Sequence, residues 1–216
     1  MNHRKSYAVF GLGRYGSAVA LELTAGGAEV LAIDRNESTV SALAPRIPLC
    51  KCADVTDPEV LRQLDIGSFD TVIVAMAESL ESSVMAIMLC KEMGVKTVIA
   101  KCGSEMHSRI LSRVGADQVV FPESESGVRL AKNLLSAGFV DLLELARDVS
   151  MVEISVRPEW VGKNLMELHL RRKYGVNVVA IRQGENLITN IDPEKPLEKS
   201  STLLVIANPA RLGKLK

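Results

Sequence analysis

Residues 7–34 read YAVFGLGRYGSAVALELTAGGAEVLAID, and the reading of this stretch decides the fold. A short apolar strand runs into Gly11, Gly13 and Gly16 in the spacing G-x-G-x-x-G; an amphipathic helix follows, and Asp34 closes the next strand. Each glycine answers a separate requirement. Gly11 makes the tight turn out of the strand, Gly13 lets backbone approach a phosphate, and Gly16 lets helix and sheet pack closely. The helix beginning near Arg14 turns unpaired N–H groups and the positive end of its dipole toward an anion. Asp34 stands 34 − 16 = 18 positions beyond the third glycine, where a carboxylate hydrogen-bonds a ribose diol and repels a 2′-phosphate. The expectation is a nucleotide site, with Tyr15 counted in its loop, that disfavours NADP. Arg14 departs from the small or apolar residue that dinucleotide enzymes usually carry between the second and third glycines. Its guanidinium suits a phosphate beyond the pyrophosphate or a charge on a neighbouring subunit; the bland reading is a solvated arginine in a first turn.

Outward from this stretch, strand signals recur at residues 49–52, 71–75, 97–101 and 118–121, with helical periodicity between them. Six alternating strand–helix units predict an α/β fold with a Rossmann-like, doubly wound parallel sheet. The punctuation agrees. Gly26 and Gly27 end the first helix, Asn36 is placed to cap the second, and Asp57 before Pro58 reads as an N-cap followed by proline at the first helical position. A helix over 79–93 carries Leu80, Val84, Ile87, Met88 and Cys90 on its apolar side and stops at Gly94.

The pattern then changes. A helix over about 124–136, Gly138, and an apolar stretch over 139–146 predict two crossover helices with a hinge between them. From residue 150 the sequence restarts with an alternating strand, a helix near 164–173, strands at 176–182 and 186–189, and a last strand at 202–206. The division is therefore a nucleotide-binding domain over 1–136, a crossover or hinge helix over 137–149, and a small α+β domain over 150–216. The apolar hinge helix is expected to pack on another subunit or domain.

Composition narrows the class. Lys+Arg and Asp+Glu both number 26 and aromatic residues make up 4%, so neither a polyanion nor stacked bases are favoured partners, and no nucleic acid is expected. Apolar residues at 47% fit buried parallel strands and subunit interfaces, hence a homo-oligomer. No run approaches a bilayer span and no signal-peptide core precedes the first strand, so a cytoplasmic protein without membrane insertion is expected. Cys50, Cys52, Cys90 and Cys102 do not form a zinc pattern and fit a reducing compartment.

GLGRYG, the Asp34 strand end, ADVTD at residues 53–57, IAK at 99–101, GADQVVFPE at 115–123 and LRRKYGVNVVAIR at 170–182 together resemble the cytosolic regulatory subunits of Ktr/Trk potassium uptake systems. The resemblance covers nearly the whole chain. It implies an RCK N-domain, a crossover and a small RCK C-domain. It places Gly11, Gly13 and Gly16 on the phosphates, Asp34 on the ribose, Arg35 or Asn36 on the adenosine side, Asp54 close to the adenine and Lys101 near the phosphates. It implies further that Arg14 meets the terminal phosphate of ATP, partly across a dimer, and that Glu123 helps to hold a divalent cation such as Mg²⁺ or Ca²⁺ at that interface. In the small domain it implies cyclic di-AMP bound with the help of Arg171 and Asn177; read from the residues alone, Arg171 and Arg172 are equally well solvated cations at a helix end.

Two functions compete on this frame. An NAD-dependent oxidoreductase needs a general acid or base facing the nicotinamide, and the three histidines, His3, His107 and His169, form no recognisable catalytic arrangement with a carboxylate. A redox-sensing repressor needs a basic helix-turn-helix, which the sequence does not offer. The expected function is a non-enzymatic gating subunit that binds ATP/ADP or NAD(H), assembles as dimers into a ring, and acts on a membrane potassium-translocating subunit from the inner face of the cell membrane.

Overall fold

A chain whose apolar strands are bounded by helix caps and glycines folds into layers, and here it does so twice. The computed structural model describes residues 5–77, 79–135, 139–146 and 149–208, and the chain divides into two compact units, Met1–Glu123 and Ser124–Lys216.

In the first unit the order is β1 (Ser6–Phe10), α1 (Arg14–Ala25), β2 (Glu29–Asp34), α2 (Glu37–Leu43), β3 (Leu49–Cys52), α3 (Pro58–Gln63), β4 (Thr71–Val74), α4 (Leu80–Glu92), β5 (Thr97–Lys101), α5 (Glu105–Val114) and β6 (Gln118–Val120). A long helix, α6 (Pro122–Leu135), leads out of it. The strands form one parallel sheet in the order β3-β2-β1-β4-β5-β6. The doubly wound arrangement expected from the sequence is the one observed, with the strand order reversing between β1 and β4.

Both faces of the sheet are covered, which is why the central strands read as nearly unbroken apolar runs. Ala8, Phe10, Ile33, Val72, Val74 and Val98 face one core with Ile87, Cys90 and Leu111. Val9, Val30, Ala32 and Ile73 face the other with Ala20, Val40 and Ile47. Met88, assigned to the apolar side of α4, is instead exposed, and Ala86 and Leu89 take the buried positions.

Two aspartates fasten the amino ends of the strands, the edge of the sheet opposite the glycine loop. Asp70 accepts from the Ser6 N–H at 3.1 Å. Asp117 accepts from the Val98 N–H at 2.6 Å and from Lys91 Nζ at 3.0 Å. Burial raises the Asp117 carboxyl, but the hydrogen bonds from Val98 and Lys91 together outweigh it and hold it below the usual carboxylate range.

The second unit holds β7 (Phe139–Ala146), β8 (Val149–Ser155), α7 (Leu165–Leu168), α8 (Leu170–Tyr174), β9 (Val176–Gln183), β10 (Asn186–Ile188) and β11 (Ser201–Ala207). They form a sheet in the order β10-β9-β11-β8-β7, and its β10–β9, β9–β11, β11–β8 and β8–β7 pairings are all antiparallel. One face carries the core: Val152, Ile154, Ile181, Leu203 and Val205 against Trp160, Leu168, Leu170 and Leu197.

Two expectations are corrected here. The stretch 139–146, assigned to a hinge helix, is β7, paired antiparallel with β8, for example Asp141 opposite Glu153 and Leu143 opposite Met151. Its apolar residues satisfy a period of two as well as a helical period. Eight residues make a marginal helix in isolation, whereas an adjacent strand supplies backbone partners for the segment. Gly138, the proposed break, lies outside the described residues, as does His3. The single helix over 164–173 is also broken. His169 adopts φ 47°, in the left-handed region, and separates α7 from α8. Asn164 and Glu167 form a reciprocal capping box that starts α7.

Two outcomes follow from this packing. A Cβ at Gly16 would lie 1.9 Å from the Gly11 carbonyl oxygen and 3.1 Å from Ala75 Cβ, so Gly16→Ala displaces α1 from the sheet. It is expected to lower stability by about 1–3 kcal/mol in denaturant titrations; an unchanged midpoint would refute the contact. Asp117→Asn removes stabilisation that is present above the unfolded carboxyl's pKa of about 3.9 and that the wild type itself loses as pH falls through the lower folded value. The stability gap between the two proteins is therefore expected to narrow on acidification below about pH 4.

Candidate nucleotide-binding site

The residues singled out in the first unit converge on the carboxyl ends of the parallel strands. Gly11 follows β1, Asp34 ends β2, Asp54 lies just past β3, Lys101 ends β5 and Glu123 follows β6. From β3 to β5 there are four strand spacings, roughly 19 Å, with the β1/β4 switch point between them. In open α/β sheets this crevice is where ligands bind.

The glycine loop is set by short contacts. Gly11 has φ +85°, and a Cβ there would come within 2.6 Å of Met76 Cγ. Its N–H donates to the Ile33 carbonyl at 2.8 Å, and the Ala75 N–H donates to the Phe10 carbonyl at 2.7 Å. Gly13 differs from the other two glycines. Its φ of −65° is open to any residue, and a Cβ added to it meets nothing within 4 Å. No contact within the described chain requires glycine here, so the space in front of it is available to something else.

Helix α1 starts without internal help. Asn36, Asp57, Ser79, Ser104 and Asn164 cap α2, α3, α4, α5 and α7 with side-chain acceptors. Gly13, the N-cap of α1, has none to offer, and the first turn holds no acid. The Ser17 N–H bonds to the Gly13 carbonyl at 2.9 Å, which leaves the preceding amides of the turn facing outward. A helix N-terminus of this kind, fronted by an open glycine, fits a phosphate.

The flanking side chains are already engaged in ways that the sequence did not disclose. Asp34 accepts from the Leu12 N–H at 2.6 Å through Oδ2 and from the Asn36 N–H at 2.8 Å through Oδ1. It ties the glycine loop to the end of β2 and keeps a second lone pair on each oxygen for a ribose hydroxyl. The Asn36 carbonyl oxygen is taken up by Ser38 N, Ser38 Oγ and Thr39 N; the side chain serves α2 first. Arg35 and Arg14 are exposed. Asp54 is exposed as well, and its carboxyl is held low by hydrogen bonds from the Thr56 hydroxyl and amide, with Arg35 adding to the effect.

Lys101 and Glu123 meet directly. Lys101 Nζ donates to Glu123 Oε1 at 2.6 Å, with the lysine side chain 15% exposed and the glutamate 62%. The same ammonium lies 5.8 Å from the centroid of the Tyr15 ring. The Lys101 hydrogen bond holds the Glu123 carboxyl below its usual range. Among the described residues no three His, Cys, Asp or Glu side chains gather around a metal position. With Glu123 paired to a lysine, the described residues gather no ligand set for a divalent cation around it.

In the second unit Arg171 and Asn177 line one groove of about 560 Å³, together with Leu165, Met166, His169 and Val178. Arg171 comes from the last turn of α8 and Asn177 from the start of β9. His169 stood in the sequence reading only as a candidate catalytic group, and the exposed Met166 escaped it. The break at His169 that brings them to the groove has no glycine or proline to announce it.

The four cysteines form no disulfide, and burial pushes the Cys90 thiol up to about 12. No helix among the described residues is long and apolar enough to cross a membrane.

Comparison with known proteins gives these positions a family. The TrkA-N domain model matches residues 7–122 and the TrkA-C domain model residues 149–216. The chain is 36% identical over 205 residues to Ktr system potassium uptake protein C of Bacillus subtilis, covering 95% of this chain and 93% of that one. It is 33% identical to Ktr system potassium uptake protein A of Vibrio alginolyticus, covering 98% and 97%. Among solved structures, the GsuK channel bound to NAD superposes with a TM-score of 0.65 at 18% identity, over 99% of this chain and 39% of that one. GsuK bound to ADP gives 0.51 at 17%, over 63% and 35%. This chain thus spans well under half of the channel's length, and the likeness is one of fold. These two relatives are named for potassium uptake and not for an enzymatic activity. The TrkA-N match over most of the glycine-loop unit, the TrkA-C match over the small antiparallel unit and a relative 36% identical over 95% of the chain make this chain a member of the TrkA family of Ktr/Trk potassium uptake proteins.

Proposed function

We propose that the protein is the nucleotide-sensing regulatory subunit of a membrane potassium transporter. The observation that carries this reading is the uncapped N-terminus of α1 behind the open face of Gly13, set at the switch point of the sheet. Phosphates bind at the outward amides of that turn, and the ribose binds at Asp34. Arg14, exposed in the same turn, reaches the outer phosphate of ATP or ADP. NAD(H) fits the same cradle, and the GsuK channel bound to NAD lends it support. Arg14 favours the mononucleotide polyphosphate. A divalent cation at Glu123 requires ligands from the nucleotide or a second copy of the chain. The groove at Arg171 and Asn177 takes a second phosphate-bearing ligand of the cyclic di-AMP class.

Nucleotide binding regulates by favouring one arrangement of subunits over another, and a differential affinity of about 1–3 kcal/mol suffices to shift such an equilibrium severalfold or more. Dimers assembling into a ring beneath the membrane subunit supply the arrangements. Exposed Met85 and Met88 on α4, and Val128, Leu130 and Leu134 on α6, are apolar surface suited to such contacts. The redox role that the glycine motif first suggests is set aside in favour of the potassium uptake family to which the chain belongs.

Calorimetry distinguishes the ligands. Arg14→Ala is expected to weaken ATP and ADP by about tenfold, in keeping with a charge-assisted contact, and NAD by less; equal affinities in wild type and variant would end the ATP assignment. Gly13→Ala is expected to leave the unfolding midpoint in place, since its Cβ meets no chain atom, while weakening every nucleotide. Retained affinity would show that the open face is not a ligand surface. With the membrane subunit in vesicles, nucleotide is expected to change potassium flux without being turned over; steady multiple turnover of nucleotide or NADH would overturn the regulatory reading.

A further inference from the structure

We propose that the Lys101–Glu123 ion pair is a latch, opened when the phosphates of a bound nucleotide take Lys101 away from Glu123 and so release the first turn of α6. This rests on the nucleotide-binding reading above and adds to it the contact through which occupancy is reported.

The geometry is asymmetric. Lys101 is nearly buried at the end of β5, and its ammonium stands against Tyr15, the second residue of α1, beside the turn that faces the phosphates. Glu123 is largely exposed and occupies the second position of α6. An ammonium held at low exposure needs an anion beside it at all times. A polyphosphate carries several negative charges against the single charge of a carboxylate and accepts the same charge-assisted hydrogen bonds, and it would arrive from the side where Tyr15 already places the cation. Glu123 gives up its partner at little cost because its carboxylate passes into water. One anion replaces another, and the lysine is never orphaned.

The consequence falls on the chain's exit from the first unit. Glu123 is the last residue of that unit, and α6 carries the chain into the second. While the pair is closed, the first turn of α6 is tied to the end of β5; once it opens, that turn loses this tie. On the same geometry Glu123 becomes available to another ligand only after Lys101 has left it.

The test uses the full chain in EDTA, so that a cation on Glu123 plays no part, with ATP, ADP, NAD and inorganic triphosphate as probes. Hydrogen exchange is read at the amides of residues 126–129, whose bonds close the first turns of α6. Each probe that calorimetry finds to bind is expected to speed exchange there severalfold. Glu123→Gln is expected to show the fast exchange without ligand and to bind ATP about 2- to 5-fold more tightly, the scale of an exposed ion pair. Lys101→Gln is expected to show the same fast exchange with weakened binding. If ATP binds the wild type but exchange at 126–129 is unchanged, or Glu123→Gln binds no more tightly, or Lys101→Gln keeps these amides protected, the latch is overturned while the nucleotide reading stands. If no probe binds the wild type, both are overturned together.

Discussion

A missing methyl group governs the first unit. Because Gly16 has no Cβ, the first turn of α1 can sit against the carbonyl of Gly11, 1.9 Å from where that carbon would be. This lets the helix begin almost where β1 stops. The shortness of the connection aims the helix N-terminus at the switch point between β1 and β4, and the crevice, the outward amides and the flanking rim residues are arranged around it. A longer loop would have left room for a capping side chain, and with it an internal anion to satisfy the helix. The close contact is what keeps α1 in want of an external one.

The rim residues divide into those held in advance and those left free. Asp34 is fixed from both sides by backbone amides, so a hydroxyl-bearing ligand at this carboxylate would lose little in ordering it. Arg14 and Arg35 are exposed and must be ordered when they engage. Lys101 is fixed but paired. The β2 side of the cleft is thus oriented in advance, while on the β5 side the cation is already committed to a partner.

Much of this was legible in the sequence, for local reasons. The central strands of the parallel sheet announce themselves because both of their faces are buried, and Asn36 and Asp57 act as caps within two or three residues of their own positions. The glycine spacing carried the site. What escaped depended on partners distant in sequence. FVDLLELA satisfies two periods at once, and the neighbouring β8 decides between them. The turn at His169 is a left-handed conformation adopted by a residue with a Cβ, which no composition rule flags. The union of Lys101 and Glu123, 22 positions apart, depends on the pairing of β5 with β6, so two residues read as separate ligands proved to be each other's partner.

The fastening of the sheet at Asp70 and Asp117 gives the nucleotide-binding unit a floor and a rim of different character. At the floor, carboxylates bind backbone amides of β1 and β5, and these bonds involve none of the residues that face the crevice. The rim is built from strand ends and loop residues, many of them exposed. Side chains at the rim can therefore be exchanged with little disturbance to the register of the strands below. Such a scaffold can change which nucleotide it recognises over evolutionary time while conserving the means by which it folds.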